Sequence, residues 1–391
     1  MEATARPALR KTSETIAPGA RTLPQRYFVS PGVFADERSR IFSQHWLLVG
    51  HQSQVSKPGD FFVQEIGDES LIIARDRADT VRGFYNVCRH RGTRLCEEER
   101  GHSSTIQCPY HAWTYGLDGR LVGAPHMDEV PEFDRTEYSL RPVNLELWEG
   151  FIFANLDDEA KPLGEWFAPL AGKFSEWNLP QLRAAKRVEY EVNANWKLMF
   201  ENYSECYHCP GVHPMLSKVS PYDSAENDLT EGPFLGGFMK IIRGKSLTMS
   251  GEACALAVTG REHPPSHGSA VAGEQEERVF YYSIFPNMLL SMHPEYVMVH
   301  QLWPQSPDRT LIVCDWLFHP NAFGRPDFKP EDAIEFWDVT NKQDWHVCEL
   351  SQQGIASRAY EPGPYSSRER IPAAWDREYL RQLGAKKTPN A

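Results

Sequence analysis

Two short segments of the chain place cysteine and histidine at spacings that suit metal binding. Cys88 and His90 are separated by one residue, and after 17 further residues Cys108 and His111 are separated by two. Two such loops that face each other can hold a pair of iron ions bridged by sulfide, with the thiolates on one iron and the imidazoles on the other. Imidazoles in place of thiolates lower the negative charge of such a cluster and raise its reduction potential.

A zinc site is the alternative interpretation, since two cysteines and two histidines at short spacing also suit tetrahedral zinc. Zinc fingers pair cysteine with cysteine and histidine with histidine, whereas each loop here carries one of each. Cys96 lies between the loops without a paired histidine, and we expect it to be a core thiol. The pattern and its flanks, NVCRHRGTRLC and CPYHAWTYGLDGRL, resemble the Rieske [2Fe-2S] motif.

A second group of ligand types follows in the segment ENYSECYHCPGVHP. We expect a helix over Asn195–His208, on which Glu201, Glu205 and His208 share a face. Pro210-Gly211 then breaks the helix, so a histidine placed after the break can return to a metal bound by His208.

That histidine is His213. Two imidazoles and one carboxylate, with positions left open for O2, form the facial triad of oxygen-activating Fe(II) sites. Cys206 and Cys209 form a C-x-x-C around His208, which also raises a redox or zinc hypothesis. No second C-x-x-C follows, so we expect both to pack as thiols beside the site.

The elements that position these residues change in character along the chain. Residues 47–155 contain short apolar runs bounded by turn residues and a hairpin signal at Asp118-Gly119, which predict an all-β module. Before it we expect a mobile tail and a helix from about Gly32 to Trp46. After it, strands combine with a helix from Pro330 to about Gly354, and Ser250–Glu277 is a predicted loop. The predicted strands are Phe61–Ile66, Ser70–Arg75, Val81–Val87, Gly150–Asn155, Lys186–Asn193, Val279–Phe285, Tyr296–Trp303 and Thr310–Phe318.

From about Thr22 to Leu383 the chain resembles the catalytic (alpha) subunit of Rieske non-haem iron oxygenases. The resemblance implies an α+β protein: residues 1–46 pack on the catalytic domain, 47–155 form an all-β Rieske domain, and 156–391 form a helix-grip (START-like) catalytic domain with an antiparallel sheet. The family's third iron ligand is an Asp on a C-terminal helix. The matching segment, NKQDWHVCELSQQG, gives Asp344. Neighbouring acidic and imidazole groups are expected not to bind the metal, namely Asp332, Asp338, His346 and Glu349.

The resemblance also implies a division of labour between a [2Fe-2S] cluster (Cys88, His90, Cys108, His111) and a mononuclear Fe(II) (His208, His213, Asp344). It implies a homotrimer in which Glu205 links a cluster histidine of one subunit to an iron-ligand histidine of the next. Oxygen is the co-substrate. Electrons come from NAD(P)H through a separate flavin- or ferredoxin-type reductase, since no nucleotide-binding glycine fingerprint is present.

Many family members have Asp where Glu205 stands, and Glu is associated with the branch that acts on quaternary ammonium compounds. ENYSECYHCPGVHP, SIFPNMLLSMHPEY and NKQDWHVCELSQQG resemble glycine betaine and stachydrine demethylases and carnitine monooxygenases. We therefore expect N-demethylation or hydroxylation of such a small molecule. An aromatic-ring-hydroxylating dioxygenase and an electron-transfer Rieske protein are the alternatives. A quaternary cation favours an aromatic box, and the available rings, equally expected as core, are Tyr203, Tyr207, Phe285 and Trp303.

The composition of the chain limits which function classes and cellular locations are expected. A net charge of −12 disfavours nucleic-acid binding, and no apolar run approaches the roughly 18 residues of a membrane span. Eight cysteines among 391 residues are too sparse for a disulfide scaffold. Together with the absence of a secretory h-region at the first residues, this predicts a cytoplasmic protein. Isolated histidines are expected to be hydrogen-bonded core or surface residues, namely His45, His126, His293 and His300.

Overall fold

The computed structural model describes residues 10–11, 19–258 and 277–384. These fall into two units. The small unit comprises Phe42–Ser175 and Leu179–Gln181, and the large unit comprises Met1–Ile41, Glu176–Asn178 and Leu182–Ala391. Much of the predicted loop Ser250–Glu277 lies outside the described residues. No helix in the described ranges is long and apolar enough to cross a membrane.

Three antiparallel sheets form the small unit. In sheet order, their strands are Asn144–Trp148, Phe151–Asn155 and Leu47–His51; Val81–Tyr85, Glu69–Arg75, Asp60–Ile66 and Arg100–His102; and Thr105–Gln107, Thr114–Gly116 and Leu121–Gly123. Short helical turns connect them: Gln52–Val55, Met127–Glu129, Arg135–Tyr138, Leu163–Trp166, Ala168–Leu170 and Leu179–Gln181. The all-β character predicted for this part of the chain is confirmed.

A tight hairpin holds one of the two Cys/His loops in place. Thr114–Gly116 pairs with Leu121–Gly123 through the turn predicted at Asp118-Gly119. Gly119 has φ +85°, and a Cβ there would lie 2.4 Å from the ring of Phe84. A larger residue is therefore excluded at this turn by both backbone and packing. The hairpin begins three residues after His111, so it fixes where that loop ends.

The large unit is built on one eight-stranded antiparallel sheet. In spatial order its strands are Arg10–Lys11, Glu226–Leu229, Phe234–Lys240, Arg278–Ile284, Met288–Met292, Tyr296–Ser306, Arg309–Phe318 and Arg183–Val192. Its helices are Arg26–Val29, Pro31–Glu37, Trp196–Tyr203, Cys209–Val212, Leu216–Val219, Pro330–Ile355 and Arg370–Gln382, and a π-helical turn at Arg38–Phe42 continues the second of them. The predicted α+β class is confirmed.

The prediction of one helix over Asn195–His208 is wrong beyond Tyr203. The helix begins with the Asn195 side chain accepting the Lys197 N–H at 3.1 Å and ends at Tyr203. There the Ser204 hydroxyl donates to the Phe200 carbonyl and lies 3.0 Å from the Ser283 hydroxyl of the sheet. A side chain that satisfies a helical carbonyl in this way competes with continuation of the helix.

As a consequence, the three acidic and imidazole groups predicted to share a helix face do not. Glu201 remains on the helix and does not line the cavity described below, whereas Glu205 and His208 lie in the turn that follows. A new helix starts at Cys209, with Pro210 in its first turn, where a proline costs no hydrogen bond.

Buried charges join three helices behind the sheet. The Lys197 ammonium lies 2.5 Å from the Glu37 carboxylate, which also accepts from the Tyr379 hydroxyl at 2.6 Å. Beside them Oε1 of Glu201 and the Asp376 side chain are buried, and two adjacent carboxyl groups shielded from water disfavour ionisation of both. Burial first, and then the neighbouring carboxyl, raises the pKa of Glu201; burial raises the pKa of Asp376 to about 7.

Candidate active site and metal centres

The two Cys/His loops of the small unit have the same backbone construction. The Cys88 carbonyl accepts the Gly92 N–H at 3.0 Å, and the Cys108 carbonyl accepts the Ala112 N–H at 3.1 Å. Gly92 and Ala112 both have positive φ, +77° and +57°. Each loop is thus a tight turn in which the cysteine comes first and the histidine lies near the tip. Both thiols are buried, at 2% and 3% exposure.

The two imidazoles lie at the solvent side of these loops. His90 and His111 are exposed, and their ring centres are 4.8 Å apart. The His90 ring stacks on Trp113 with centres 4.7 Å apart. Two buried thiols beneath two exposed, adjacent imidazoles fit a [2Fe-2S] cluster with unequal irons, and the exposed imidazoles provide a short route for electrons to leave.

Tyr115 was not predicted to take part, yet it contacts one of the thiols. Its hydroxyl oxygen accepts the Arg89 N–H at 3.0 Å and lies 3.4 Å from the Cys88 sulfur. Because the backbone occupies the oxygen, the hydroxyl proton is directed to the sulfur. Hydrogen bonds to cluster sulfurs stabilise the more negative, reduced state. The only sequence feature that could have indicated this contact is the presence of a tyrosine four residues after His111.

Three ligand atoms converge in the large unit. His208 Nε2 lies 3.2 Å from His213 Nε2 and 3.2 Å from Asp344 Oδ1, and His213 Nε2 lies 2.8 Å from the same oxygen. Ligand atoms about 2.1 Å from a metal and at right angles to one another are about 3 Å apart. The separations therefore fit three ligands on one face of an octahedral ion, with the opposite face open.

The remaining nitrogen of each imidazole is held by a second side chain. His208 Nδ1 lies 2.6 Å from Glu205 Oε1, and His213 Nδ1 lies 2.8 Å from Gln343 Oε1. Each Nδ1–H donates to an oxygen, which leaves the lone pair of each Nε2 atom available to bind a metal. Glu205 is therefore in contact with His208. The role predicted for Glu205, a link between a cluster histidine and an iron-ligand histidine, requires this contact on the iron side. Gln343 was not predicted, since nothing in the sequence distinguishes it from other polar residues of the helix.

The electrostatics of these groups favour a cation between them. Burial alone would lower the pKa of His208, but hydrogen bonds to Asp344 and Glu205 outweigh it and raise the pKa to about 10. Burial would raise the pKa of Asp344, but the two histidines hold it below its usual value. The pocket thus attracts positive charge, which a divalent metal supplies more fully than a proton.

Cys206 and Cys209 are joined by a disulfide, with Cα atoms 5.0 Å apart. The expectation of two separate thiols beside the site is wrong, because the turn after Ser204 folds the segment back on itself and brings the pair within disulfide range. Cys209 is close enough to His208 and His213 to join them on a metal. A sulfur already bonded to sulfur is not a thiolate, however, so Asp344 is the better third ligand.

A cavity of about 230 Å³ opens onto His208, His213 and Asp344. Its walls carry seven phenylalanine, tyrosine and tryptophan side chains: Tyr203, Tyr207, Tyr222, Phe238, Tyr281, Trp337 and Trp345. Of the four rings expected as candidates for an aromatic box, Tyr203 and Tyr207 line this cavity, whereas Phe285 and Trp303 are buried elsewhere. His300, expected as a core or surface residue, also lies in the cavity wall, where burial lowers its pKa to about 4.

The residues rejected as ligands have other partners. Asp338 accepts from the Tyr190 hydroxyl at 2.9 Å and from Lys342 at 2.6 Å. Asp332 accepts from the Ser250 side chain, and Glu349 accepts from Asn193. His346 is exposed. Asp344 is the carboxylate of this helix that reaches both histidines.

Comparison with known protein families identifies both parts of the chain. Residues 45–134 match the Rieske [2Fe-2S] domain, and residues 179–385 match the catalytic domain of the ring-hydroxylating alpha subunit. The chain belongs to the Rieske non-haem iron oxygenases. Membership implies a [2Fe-2S] cluster and a mononuclear iron, and it excludes the alternative of an electron-transfer protein without its own catalysis.

Several relatives act on quaternary ammonium compounds. The glycine betaine monooxygenase oxygenase subunit of Chromohalobacter salexigens is 33% identical, over 89% of this chain and 82% of the relative. The carnitine monooxygenase oxygenase subunit of Acinetobacter baumannii is 36% identical, over 87% of each chain. A quaternary ammonium Rieske monooxygenase solved with its substrate L-carnitine superposes with a TM-score of 0.75 at 26% identity, over 93% of this chain and 95% of that one.

Proposed function

We propose that this oxygenase removes an N-methyl group from a small quaternary ammonium compound. One oxygen atom of O2 enters the methyl C–H bond and the other becomes water, with two electrons and two protons consumed. The resulting N-hydroxymethyl group loses its hydroxyl proton and breaks its C–N bond, which releases formaldehyde and a tertiary amine. The observation that carries the proposal is the cavity itself, because aromatic rings bind a cation that cannot donate hydrogen bonds.

The predicted site residues take the following roles in this proposal. The [2Fe-2S] cluster is held by Cys88, His90, Cys108 and His111, and supplies single electrons. The mononuclear iron is held by His208, His213 and Asp344, and supplies the oxygen-activating chemistry. The convergence of three ligand atoms at 2.8 to 3.2 Å supports the second set, and the pairing of buried thiols with exposed imidazoles supports the first.

Electrons pass between subunits of a homotrimer in this proposal, with Glu205 as the link. Its carboxylate already holds the iron-side histidine, His208, at 2.6 Å, and Tyr207, two residues further along the chain, is 55% exposed. The cluster histidines, His90 and His111, are exposed and can meet a second copy of the chain, and the Glu205 side chain is 11% exposed. In a Glu205→Ala variant we expect both metals to remain and electron delivery to stop. Normal single-turnover product formation would remove this role.

The remaining parts of the proposal concern partners and location. A separate NAD(P)H-dependent reductase of flavin or ferredoxin type supplies electrons, as the names of the oxygenase-subunit relatives support. We propose residues 47–155 as the working limits of the cluster domain and 156–391 as those of the iron domain, with 1–46 packed on the latter. The cytoplasmic location stays a prediction.

The test is a substrate screen with the cluster- and iron-loaded protein, NADH and a generic reductase. Glycine betaine and carnitine are compared with simple aromatic acids, and formaldehyde is measured beside NADH consumption. Formaldehyde formed in proportion to NADH with a quaternary ammonium compound supports the proposal. A cis-diol formed from an aromatic acid, with no formaldehyde from any ammonium compound, favours the ring dioxygenase instead.

A further inference from the structure

The cavity is charged at more than one point, and its charges are not all of one sign. Carboxylates of Glu205 and Asp344 lie at the iron end. Among the described residues that line the cavity, Arg368 is the only lysine or arginine. A small cationic substrate gains nothing from an arginine in its binding site. The presence of this guanidinium therefore calls for a negative group on the substrate.

Arg368 is partly buried and is held by an aromatic ring. Its Cζ lies 5.1 Å from the centre of the Tyr222 ring, which also lines the cavity. A cation–π contact of this kind uses none of the guanidinium N–H groups as hydrogen-bond donors, so they stay free to donate. The Tyr222 contact thus restrains the side chain without using its donors.

No protein carboxylate takes those donors within the described part of the chain. The hydrogen bond made there by Arg368 comes from its backbone N–H, which donates to the Ser366 hydroxyl at 3.3 Å. Asp223 also lines the cavity, but it forms no ion pair with Arg368. The neighbouring Arg370, in contrast, reaches the Thr230 hydroxyl at 3.2 Å and the Glu231 carboxylate at 4.0 Å. Arg368 is therefore a fixed guanidinium whose edge is available to a ligand.

We infer that Arg368 binds the carboxylate of a zwitterionic substrate, so that the enzyme selects trimethylammonium carboxylates over simple trimethylammonium alcohols. This inference rests on the proposed function and narrows its substrate class. The ammonium end lies toward the aromatic rings at the iron end of the cavity, and the carboxylate end lies toward Arg368. Arginine suits this task because its planar fork matches the two oxygens of a carboxylate.

The experiment compares glycine betaine and carnitine with choline, which has the same ammonium group and no carboxylate. The proteins are the wild type, Arg368→Gln, Arg368→Lys and the control Arg358→Gln, which removes an equal charge from an exposed position outside the cavity. Loss of a charged hydrogen bond used equally in the ground and transition states raises KM and leaves kcat unchanged. We expect KM for the betaines to rise about 10- to 100-fold in Arg368→Gln and to rise less in Arg368→Lys.

For choline we expect kcat/KM not to fall in either Arg368 variant, since choline has no carboxylate that this guanidinium could bind. Iron content and the visible spectrum of each variant report that the fold and both metals are intact. Equal losses for betaines and choline, or no loss for the betaines, would overturn the inference. Wild-type oxidation of choline in preference to the betaines would overturn it as well while leaving the proposed function standing. If none of these ammonium compounds yields formaldehyde, the proposed function itself fails.

Discussion

Replacing Gln343 by leucine should weaken binding of the mononuclear iron without affecting the cluster. The Gln343 oxygen accepts from His213 Nδ1 at 2.8 Å, and the His213 side chain is 2% exposed, so water cannot take its place. Partners of this kind typically contribute 10- to 100-fold in metal affinity, which is about 1.4 to 2.7 kcal/mol. That range agrees with the cost of about 1–3 kcal/mol for leaving a buried donor unpaired.

The assay is an Fe(II) titration of protein that retains its cluster but has been stripped of mononuclear iron. Two variants serve as controls. Gln343→Glu keeps an oxygen acceptor for His213 and should stay near wild type in affinity. Lys342→Gln changes the adjacent residue, which is paired with Asp338 away from the site, and should have no effect. If Gln343→Leu binds Fe(II) as tightly as the wild type, the orienting role is refuted.

Three further predictions concern the cluster and the buried carboxyls. Cys108→Ala should abolish the visible cluster spectrum, and an unchanged spectrum would remove the cluster assignment. Tyr115→Phe should keep the cluster but lower its potential by roughly 40 mV, for a hydrogen bond of about 1 kcal/mol; a redox titration followed by EPR tests this. Because the pKa of Asp376 is raised to about 7, the stability it contributes is present at low pH and is lost as pH rises toward 7. Asp376→Asn should therefore flatten the fall in Tm between about pH 4 and 7; a slope equal to wild type would contradict the shared-proton arrangement.

Several strands and the long helix Pro330–Ile355 could be predicted closely because local sequence signals define them. The run Phe61–Ile66 lies within the strand Asp60–Ile66, and the helix predicted from Pro330 to about Gly354 spans Pro330–Ile355. Turn residues bound each strand, and proline opens the helix at a position where it costs no hydrogen bond.

The prediction of one helix over Asn195–His208 is wrong because non-local contacts, and not local sequence signals, determine where this helix ends. Its residues have adequate helix propensity, but it ends at Tyr203 because Ser204 bonds to the sheet and the Glu205 carboxylate accepts the N–H groups of Tyr207 and His208. These contacts depend on the folded chain. Tertiary structure overrides propensity here, and the resulting turn is what brings Glu205 to His208.

Some residues of the candidate iron site could likewise be predicted from the sequence, and others could not. Pro210-Gly211 predicts that His213 can return toward His208, and the structure brings the two Nε2 atoms within 3.2 Å. Asp344 came from family resemblance, because nothing in the local sequence separates it from the other carboxylates of its helix. Gln343 could not be predicted from a single chain, since its role depends on which way the His213 ring faces.

Metal analysis of the fully loaded protein tests the central claim most directly, namely that one polypeptide houses a binuclear cluster and a separate iron. We predict about three irons per chain, and about two in a His213→Ala variant that keeps the visible cluster spectrum. Zinc in place of iron, or a His213→Ala variant that retains all its iron and its full turnover, would contradict the account.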